Sequence, residues 1–223
     1  MSRIGRFSLV VFDCDGTLVD SQHAIAAAMA RAFAEHDLAA PPAAAVRRII
    51  GLNLDEAMAA LAPEVDATRH HSLAEAYKAE FFRQRQSGEF SDPLYPGALE
   101  AVLALAETGT LLGVATGKSR RGLRAVLERH GLKARFATLQ TADDAPGKPH
   151  PGMLLNAMAE TGARPEETVM IGDTTFDMSM ARAAKVAAVG VAWGYHEVQE
   201  LDGAGAAAVV ADYGQLLQTL ARL

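Results

Sequence analysis

The chain has 223 residues, of which 50% are hydrophobic and 22% charged, a globular composition that excludes a disordered polypeptide. Its formal charge of -6 argues against a nucleic-acid partner, which would want a basic face, and its single cysteine, Cys14, excludes an internal disulfide and a cysteine-built zinc cluster. No apolar run approaches membrane-spanning length, and the first one stops at Asp13 with no small-residue cleavage site, so no membrane partner and a cytoplasmic location are expected.

The first element is a buried strand. Residues 9–12 are apolar with a β-branched bias, and the first polar residues after them, Asp13 and Asp15, are carboxylates one position apart. Gly16 permits a sharp exit from the strand. From 23 to 36 the chain is alanine-rich, with Ile25, Met29, Ala32 and Phe33 at helical spacing and Ser21 placed to cap the helix. Further helical segments follow at 43–50, 54–61 and 66–85, the last carrying Leu73, Tyr77, Phe81 and Phe82, and nothing between 21 and 88 reads as a strand. After a Pro- and Gly-containing passage at 90–96 the pattern changes. Helices expected at 98–107, 119–130, 151–161, 176–184 and 213–220 alternate with strands expected at 111–115, 136–139, 168–171, 186–191 and 207–210. Such alternation predicts an α/β fold, a Rossmann-like doubly wound parallel sheet. The first strand belongs to that sheet, because its acids would otherwise have no site to serve. The expected organisation is therefore a catalytic core of residues 1–20 and 91–223, interrupted by an α-helical cap domain of residues 21–90 that can close over the carboxyl edge of the sheet.

Ligands of α/β sheets bind at the carboxyl ends of the strands, and chemistry-bearing residues recur at those ends. Asp13 and Asp15 repel each other, so a shared proton, a hard divalent cation or both must offset the cost; taken alone, the same two residues fit a plain turn equally well. Thr116 ends the second strand and can donate its hydroxyl to a phosphate oxygen, with the Gly117 amide near a helix N-terminus that favours anions; an ordinary strand-to-helix turn capped by Ser119 reads the same way. Lys148, flanked by Gly147 and by prolines at 149 and 151, can be fixed in direction so that its ammonium neutralises a phosphate or an acid, whereas an unconstrained loop lysine would be solvated. His150 reads as a helix-start residue. Asp173 and Asp177, four apart after the fourth strand, can face one cation or cap the next helix.

Together these segments resemble a known family. The run Asp13-Cys14-Asp15-Gly16-Thr17-Leu18-Val19-Asp20-Ser21, Thr116 after the second strand, Lys148-Pro149-His150-Pro151 and Gly172-Asp173-Thr174-Thr175-Phe176-Asp177 resemble, in order, the four motifs of the haloacid dehalogenase superfamily of aspartate-nucleophile phosphohydrolases. The resemblance implies that Asp13 is phosphorylated, that Asp15 acts as general acid and then general base, and that Thr116, Gly117 and Lys148 bind the phosphate. It also implies a Mg2+ ion held by Asp13, the Asp15 backbone carbonyl and Asp173, supported by Asp177. One large branch of the family carries a helical cap between its first and second motifs. Many relatives have Asn where this chain has Gly117. The run Val189-Gly190-Val191-Ala192-Trp193-Gly194-Tyr195 is similar to the phosphoglycolate phosphatase branch, so a small phosphorylated metabolite is the expected partner. Arg47 and Arg48, beside the turn Gly51-Leu52-Asn53, are candidates to bind a substrate carboxylate, and each also fits a solvated helix arginine. Trp193 and Tyr195 can line the entrance or pack the sheet edge, and packing is the favoured expectation. Other readings differ by single residues. A dehalogenase lacks the second acid, which Asp15 opposes; a phosphonatase needs a cap lysine, and Lys78 is the only one between 21 and 91. A phosphomutase would keep Asp15 and control water differently, and a catalytically silent binding module would not need both Asp13 and Asp15.

Overall fold

The computed structural model describes residues 4–88 and 92–223; the expected cap boundary at 90/91 lies outside them. Strand β1 (Leu9–Phe12) is followed by four helices, α1 (Gln22–Glu35), α2 (Ala43–Ile49), α3 (Leu54–Leu61) and α4 (Ala67–Ser87). The remainder alternates: α5 (Ala98–Glu107), β2 (Leu111–Ala115), α6 (Arg120–Arg129), β3 (Thr138–Gln140), α7 (Gly152–Thr161), β4 (Thr168–Gly172), α8 (Thr175–Ala183), β5 (Ala187–Val191), α9 (Val198–Ala204), β6 (Ala208–Val210) and α10 (Tyr213–Arg222).

All six strands pair in parallel in the order β3-β2-β1-β4-β5-β6, the doubly wound α/β architecture expected from the sequence. Successive side chains of a strand point to opposite faces, and both faces here are covered. Val10 and Phe12 join Val102, Leu105, Leu127 and Leu216 in one core, whereas Leu9 and Val11 join Leu154, Met170, Met178 and Leu201 in the other. That double burial is why the strands read as unbroken apolar runs. A third core lies within the helical insertion, where Ile25, Met29, Phe33, Val46, Met58 and Leu73 pack together, and Tyr195 reaches it from beyond β5.

The chain winds one way from β1 to β3 and the other way from β4 to β6, so the order reverses between β1 and β4. Their carboxyl ends frame the crevice such sheets use for ligands. Phe12 pairs with Val114 of β2 and Ile171 of β4, so Asp13 emerges level with Ala115 and Gly172, one residue before Thr116 and Asp173. The insertion leaves and re-enters the core along adjoining segments: Val19 bridges Leu94 in antiparallel fashion, the Asp20 amide donates to the Pro93 carbonyl (2.9 Å) and the Tyr95 amide donates to the Leu18 carbonyl (3.0 Å).

Local differences from the sequence reading have local causes. The third strand starts two residues later than expected, because its ladder with β2 begins only where Thr138 meets Gly113. Helix α9 is not marked by the sequence pattern, because its segment is only seven residues long and contains a glycine; it is closed at its start by reciprocal hydrogen bonding of Glu197 and Glu200. Ser21 does occupy the cap position of α1, but its hydroxyl makes no capping bond and is given to Asp15 instead. Among the described residues, no helix is long and apolar enough to cross a membrane.

Candidate active site

The β1 carboxyl end fixes the first acid. The Asp13 amide donates to the Ile171 carbonyl across the sheet (2.8 Å), and its Oδ1 accepts from the Cys14 amide (2.6 Å). Gly16 has a φ of +85°, and a Cβ there would collide with the Asp173 carboxylate and the Tyr195 ring, so both the turn and the close approach require glycine. Cys14 is fully buried and unpaired, filling space beneath the turn as a small apolar side chain does.

Three acids and one lysine meet at the switch point. The Lys148 ammonium, wholly buried, lies 2.8 Å from Asp13 Oδ1 and 2.6 Å from Asp177 Oδ1. It is not a solvated loop lysine, and His150 behind it accepts from the Gly152 amide at the start of α7. Asp173 Oδ1 accepts from the Thr17 hydroxyl (2.9 Å), and its Oδ2 accepts from the Tyr195 amide (2.9 Å). Asp177 Oδ2 accepts from the amide (3.0 Å) and hydroxyl (2.7 Å) of Thr174, which caps α8. Asp177 thus serves the helix start with one oxygen and the cluster with the other.

The electrostatics of this cluster are unbalanced. Burial pushes the Asp13 carboxyl up to about 7, against the opposing pull of Lys148 and with the added repulsion of Asp177 and Asp15. Burial also raises Asp173 well above the ordinary carboxylate range, and the Asp13 and Asp177 charges push the same way. For Lys148 burial alone would lower the pKa, but the Asp13 and Asp177 carboxylates raise it above its usual value. One ammonium, on Asp13 and Asp177, is thus set against a cluster of three acids. Asp13 Oδ2 is buried without a hydrogen-bond partner, and Asp13, Asp173 and Asp177 each offer an oxygen, all within 4.8 Å of one another. An all-oxygen anionic donor set with an orphaned carboxylate oxygen fits a hard divalent cation such as Mg2+.

Asp15 lies only two residues on, in a different environment. Both its oxygens face the Lys118 ammonium (2.7 and 2.8 Å), and Oδ1 also accepts from the Ser21 hydroxyl. Burial would raise its pKa, but the charge and hydrogen bonds of Lys118, together with Ser21, hold it below the ordinary value. Its carboxylate does not join the three-acid cluster; any share in a metal site falls to its backbone.

The cap closes the site from above. A cavity of about 750 Å3 is walled by Asp13, Asp15, Thr116 and Gly117 from the core and by residues of α1 and α4 and the turn 50–54 from the insertion. Thr116, fully buried, accepts from the Lys118 amide through its hydroxyl oxygen (3.2 Å), which leaves its own proton to be donated. A Cβ at Gly117 would lie 3.0 Å from the Leu52 carbonyl oxygen and 3.2 Å from that of Gly51. The absence of a Cβ at Gly117 leaves room for the cap turn to come this close. Arg47 and Arg48 do not line the cavity. Arg48 makes a two-pronged ion pair with Glu200 of α9 (2.6 and 2.7 Å), tying cap to core on the outside, and Arg47 sits over the Tyr195 ring at 6.0 Å. Trp193 packs against Tyr95 and Tyr213, as expected for the sheet edge.

Several contributors escaped the sequence reading: Lys118 and Ser21 on Asp15, Thr17 and the Tyr195 amide on Asp173. A signal existed for two of them, since Lys118 stands two residues after Thr116 and Ser21 closes the first motif. Nothing local marks the other two.

Comparison with known proteins agrees with this geometry. Residues 10–191 match the sequence profile of the haloacid dehalogenase-like hydrolases. A Dickeya dadantii protein named "Probable phosphatase IndB" is 36% identical over 211 residues, covering 94% of this chain and 91% of its own. A phosphoglycolate phosphatase of Rhodospirillum rubrum is 34% identical over 216 residues, covering 93% and 88%. The crystal structure of a hydrolase from Pseudomonas syringae superposes with a TM-score of 0.85 at 28% identity, covering 97% of this chain and 99% of that one.

Proposed function

Since the chain belongs to the haloacid dehalogenase-like hydrolases and is a phosphatase of that superfamily, we propose that it hydrolyses a small phosphomonoester with Mg2+ through a phosphorylated Asp13. The observation that carries this reading is the pairing of Asp13, whose Oδ2 is buried and unpartnered beside two further acids, with Asp15, held apart from them by Lys118. Burial raises Asp13 while Lys118 and Ser21 lower Asp15, the reverse of what a nucleophile and a proton donor need, so what supports the two roles is the placement of the carboxylates, and the charge of a cation beside Asp13 would favour its ionised form.

In the first step the Asp13 carboxylate attacks phosphorus, the ester P–O bond breaks, and the departing oxygen takes a proton from Asp15. In the second, Asp15 accepts a proton from water, whose oxygen attacks the acyl phosphate and frees Asp13. The ionised Asp15 that Lys118 and Ser21 favour is the form needed for this second step. The Thr116 hydroxyl, the Gly117 amide and the Lys148 ammonium hold phosphoryl oxygens and stabilise charge as it redistributes. Asp13, Asp173 and the Asp15 carbonyl would hold Mg2+, with Asp177 behind them, and the ion supplies charge neutralisation and orientation of the phosphoryl group. The insertion of residues 21–90 is read as a cap that shields the phosphorylated Asp13 from bulk water, over a core of 1–20 and 91–223. Relatives named phosphoglycolate phosphatase make phosphoglycolate the reference ester, and a cytoplasmic enzyme is the working assignment.

The test is phosphate release from phosphomonoesters with and without Mg2+, comparing wild type with Asp13→Asn. Magnesium-dependent release that the substitution abolishes supports the reading. Release that survives Asp13→Asn removes Asp13 as nucleophile.

A further inference from the structure

The floor of the cavity accounts for the phosphate; most of the remaining space has no assigned occupant. At about 750 Å3 the cavity equals the liquid volume of about 25 water molecules at ~30 Å3 each, and it falls in the range of sites for drug-sized ligands. A two-carbon acid phosphate would leave most of it filled with water.

The chemistry of the wall points the same way. Opposite the floor stand Ile25 and Met29 of α1, Ile50 and Leu52 of the cap turn, and Tyr77 and Phe81 of α4. Tyr77 and Phe81 are one helical turn apart and stack at 5.6 Å between centroids with 26° between their planes, forming one broad aromatic face. That face adjoins the point where the leaving group departs. The Lys118 ammonium lies 5.0 Å from the Phe81 ring centroid and also holds Asp15, the proton donor to the leaving oxygen.

A substrate carboxylate, by contrast, would find three of the four basic side chains that line the cavity already paired with acids. Of the basic side chains on the upper cavity, Lys78 pairs with Glu75 (2.7 Å), Lys118 with Asp15 and Arg85 with Asp92. The fourth, Arg121, has its guanidinium carbon 3.3 Å from the Phe82 ring centroid. Arg47 and Arg48 are outside the lining altogether.

We infer that the alcohol half of the substrate is a ring-bearing, largely apolar body that packs on the Tyr77–Phe81 face, not a short carboxylic acid. This rests on the phosphatase reading above and specifies the class of ester that site takes.

Three alkyl phosphates of comparable intrinsic lability separate the alternatives: ethyl phosphate, 2-phenylethyl phosphate, which differs only by a phenyl group, and 2-phosphoglycolate. With Mg2+ and wild-type protein, kcat/KM for the 2-phenylethyl ester should exceed that for the ethyl ester by about 10-fold or more, the scale of discrimination that apolar pockets achieve, and phosphoglycolate should fare no better than ethyl phosphate. Phe81→Leu, which keeps an apolar side chain but removes the ring, should shrink the phenylethyl-to-ethyl ratio severalfold. Equal kcat/KM for the phenylethyl and ethyl esters, or a preference for phosphoglycolate over both, overturns the ring-bearing substrate while leaving the phosphatase standing. No phosphate released from any of the three overturns both readings together.

Discussion

The floor of the cavity and the wall above it obey different physics. At the floor, charges are crowded into a dry space: Asp13, Asp173, Asp177 and Lys148 are almost wholly buried, and each is held by named donors or an ion pair. On the wall, α1 and α4 present apolar and aromatic surface with few directional bonds. A charge network tolerates almost no substitution, because removing one member leaves another buried and uncompensated. An apolar wall degrades gradually, since packing is non-directional and neighbours relax. The floor should therefore govern whether reaction occurs, and the wall which ester reacts.

The sharpest way to break that contrast is at the nucleophile. Asp13→Asn should lower magnesium-dependent phosphate release by roughly 10^4-fold or more, with the circular-dichroism spectrum unchanged; residual turnover near wild type would mean that the floor is not the reaction centre. Lys148→Met should cost about 3–5 kcal/mol of unfolding free energy in urea titrations without Mg2+, because it strips the buried ammonium from Asp13 and Asp177. A loss below about 1 kcal/mol would show that the acids relax as readily as an apolar wall.

Proton linkage sharpens the comparison further. The Asp13 carboxyl holds its proton to about 7 when folded, against an ordinary value of 3.8. Between those pH values the folded chain binds a proton that the unfolded chain has released, so this group's contribution to stability is greatest at the acid end and declines as pH rises through the window. A divalent cation competes with that proton for the same oxygens. The rise in melting temperature on adding Mg2+ should accordingly be larger at pH 8 than at pH 5, and Asp173→Asn should diminish the rise at pH 8. Effects at the boundary between floor and wall should be smaller. Gly117→Ala, whose new Cβ would press on the Leu52 carbonyl, should raise KM a few-fold by lifting the cap turn and change kcat less. Smallest of all, Arg48→Ala should cost no more than about 1 kcal/mol, because its pair with Glu200 is half in solvent.

The same contrast explains what could be read in advance. Floor residues are legible because each polar residue follows an apolar run: Asp13, Thr116 and Asp173 announce themselves as strand ends, and Lys148 is pinned between Gly147 and Pro149. The partners on the other side of each acid are set by how loops distant in sequence come together. No spacing rule says that the Tyr195 amide reaches Asp173, or that Lys118 turns to Asp15. Helical spacing put Tyr77 and Phe81 on one face of α4 without saying what the face meets. For Arg48 the sequence leaves open a substrate contact and a solvated helix arginine; the side chain lies outward on Glu200 of α9, a helix that the sequence pattern does not mark.

One detail of connectivity has a bearing on how such an enzyme could be rebuilt. Where Val19 bridges Leu94, the chain going out to the cap and the chain coming back run side by side, about one strand spacing apart, ~4.8 Å. The insertion thus hangs from a two-stranded neck whose ends nearly touch, so a short hairpin turn could replace everything beyond the neck without redirecting β1 or α5. The aromatic wall would leave with the excised cassette and the acidic floor would stay behind. A foreign cassette of any size, grafted on the same neck, would inherit the chemistry and bring its own selectivity.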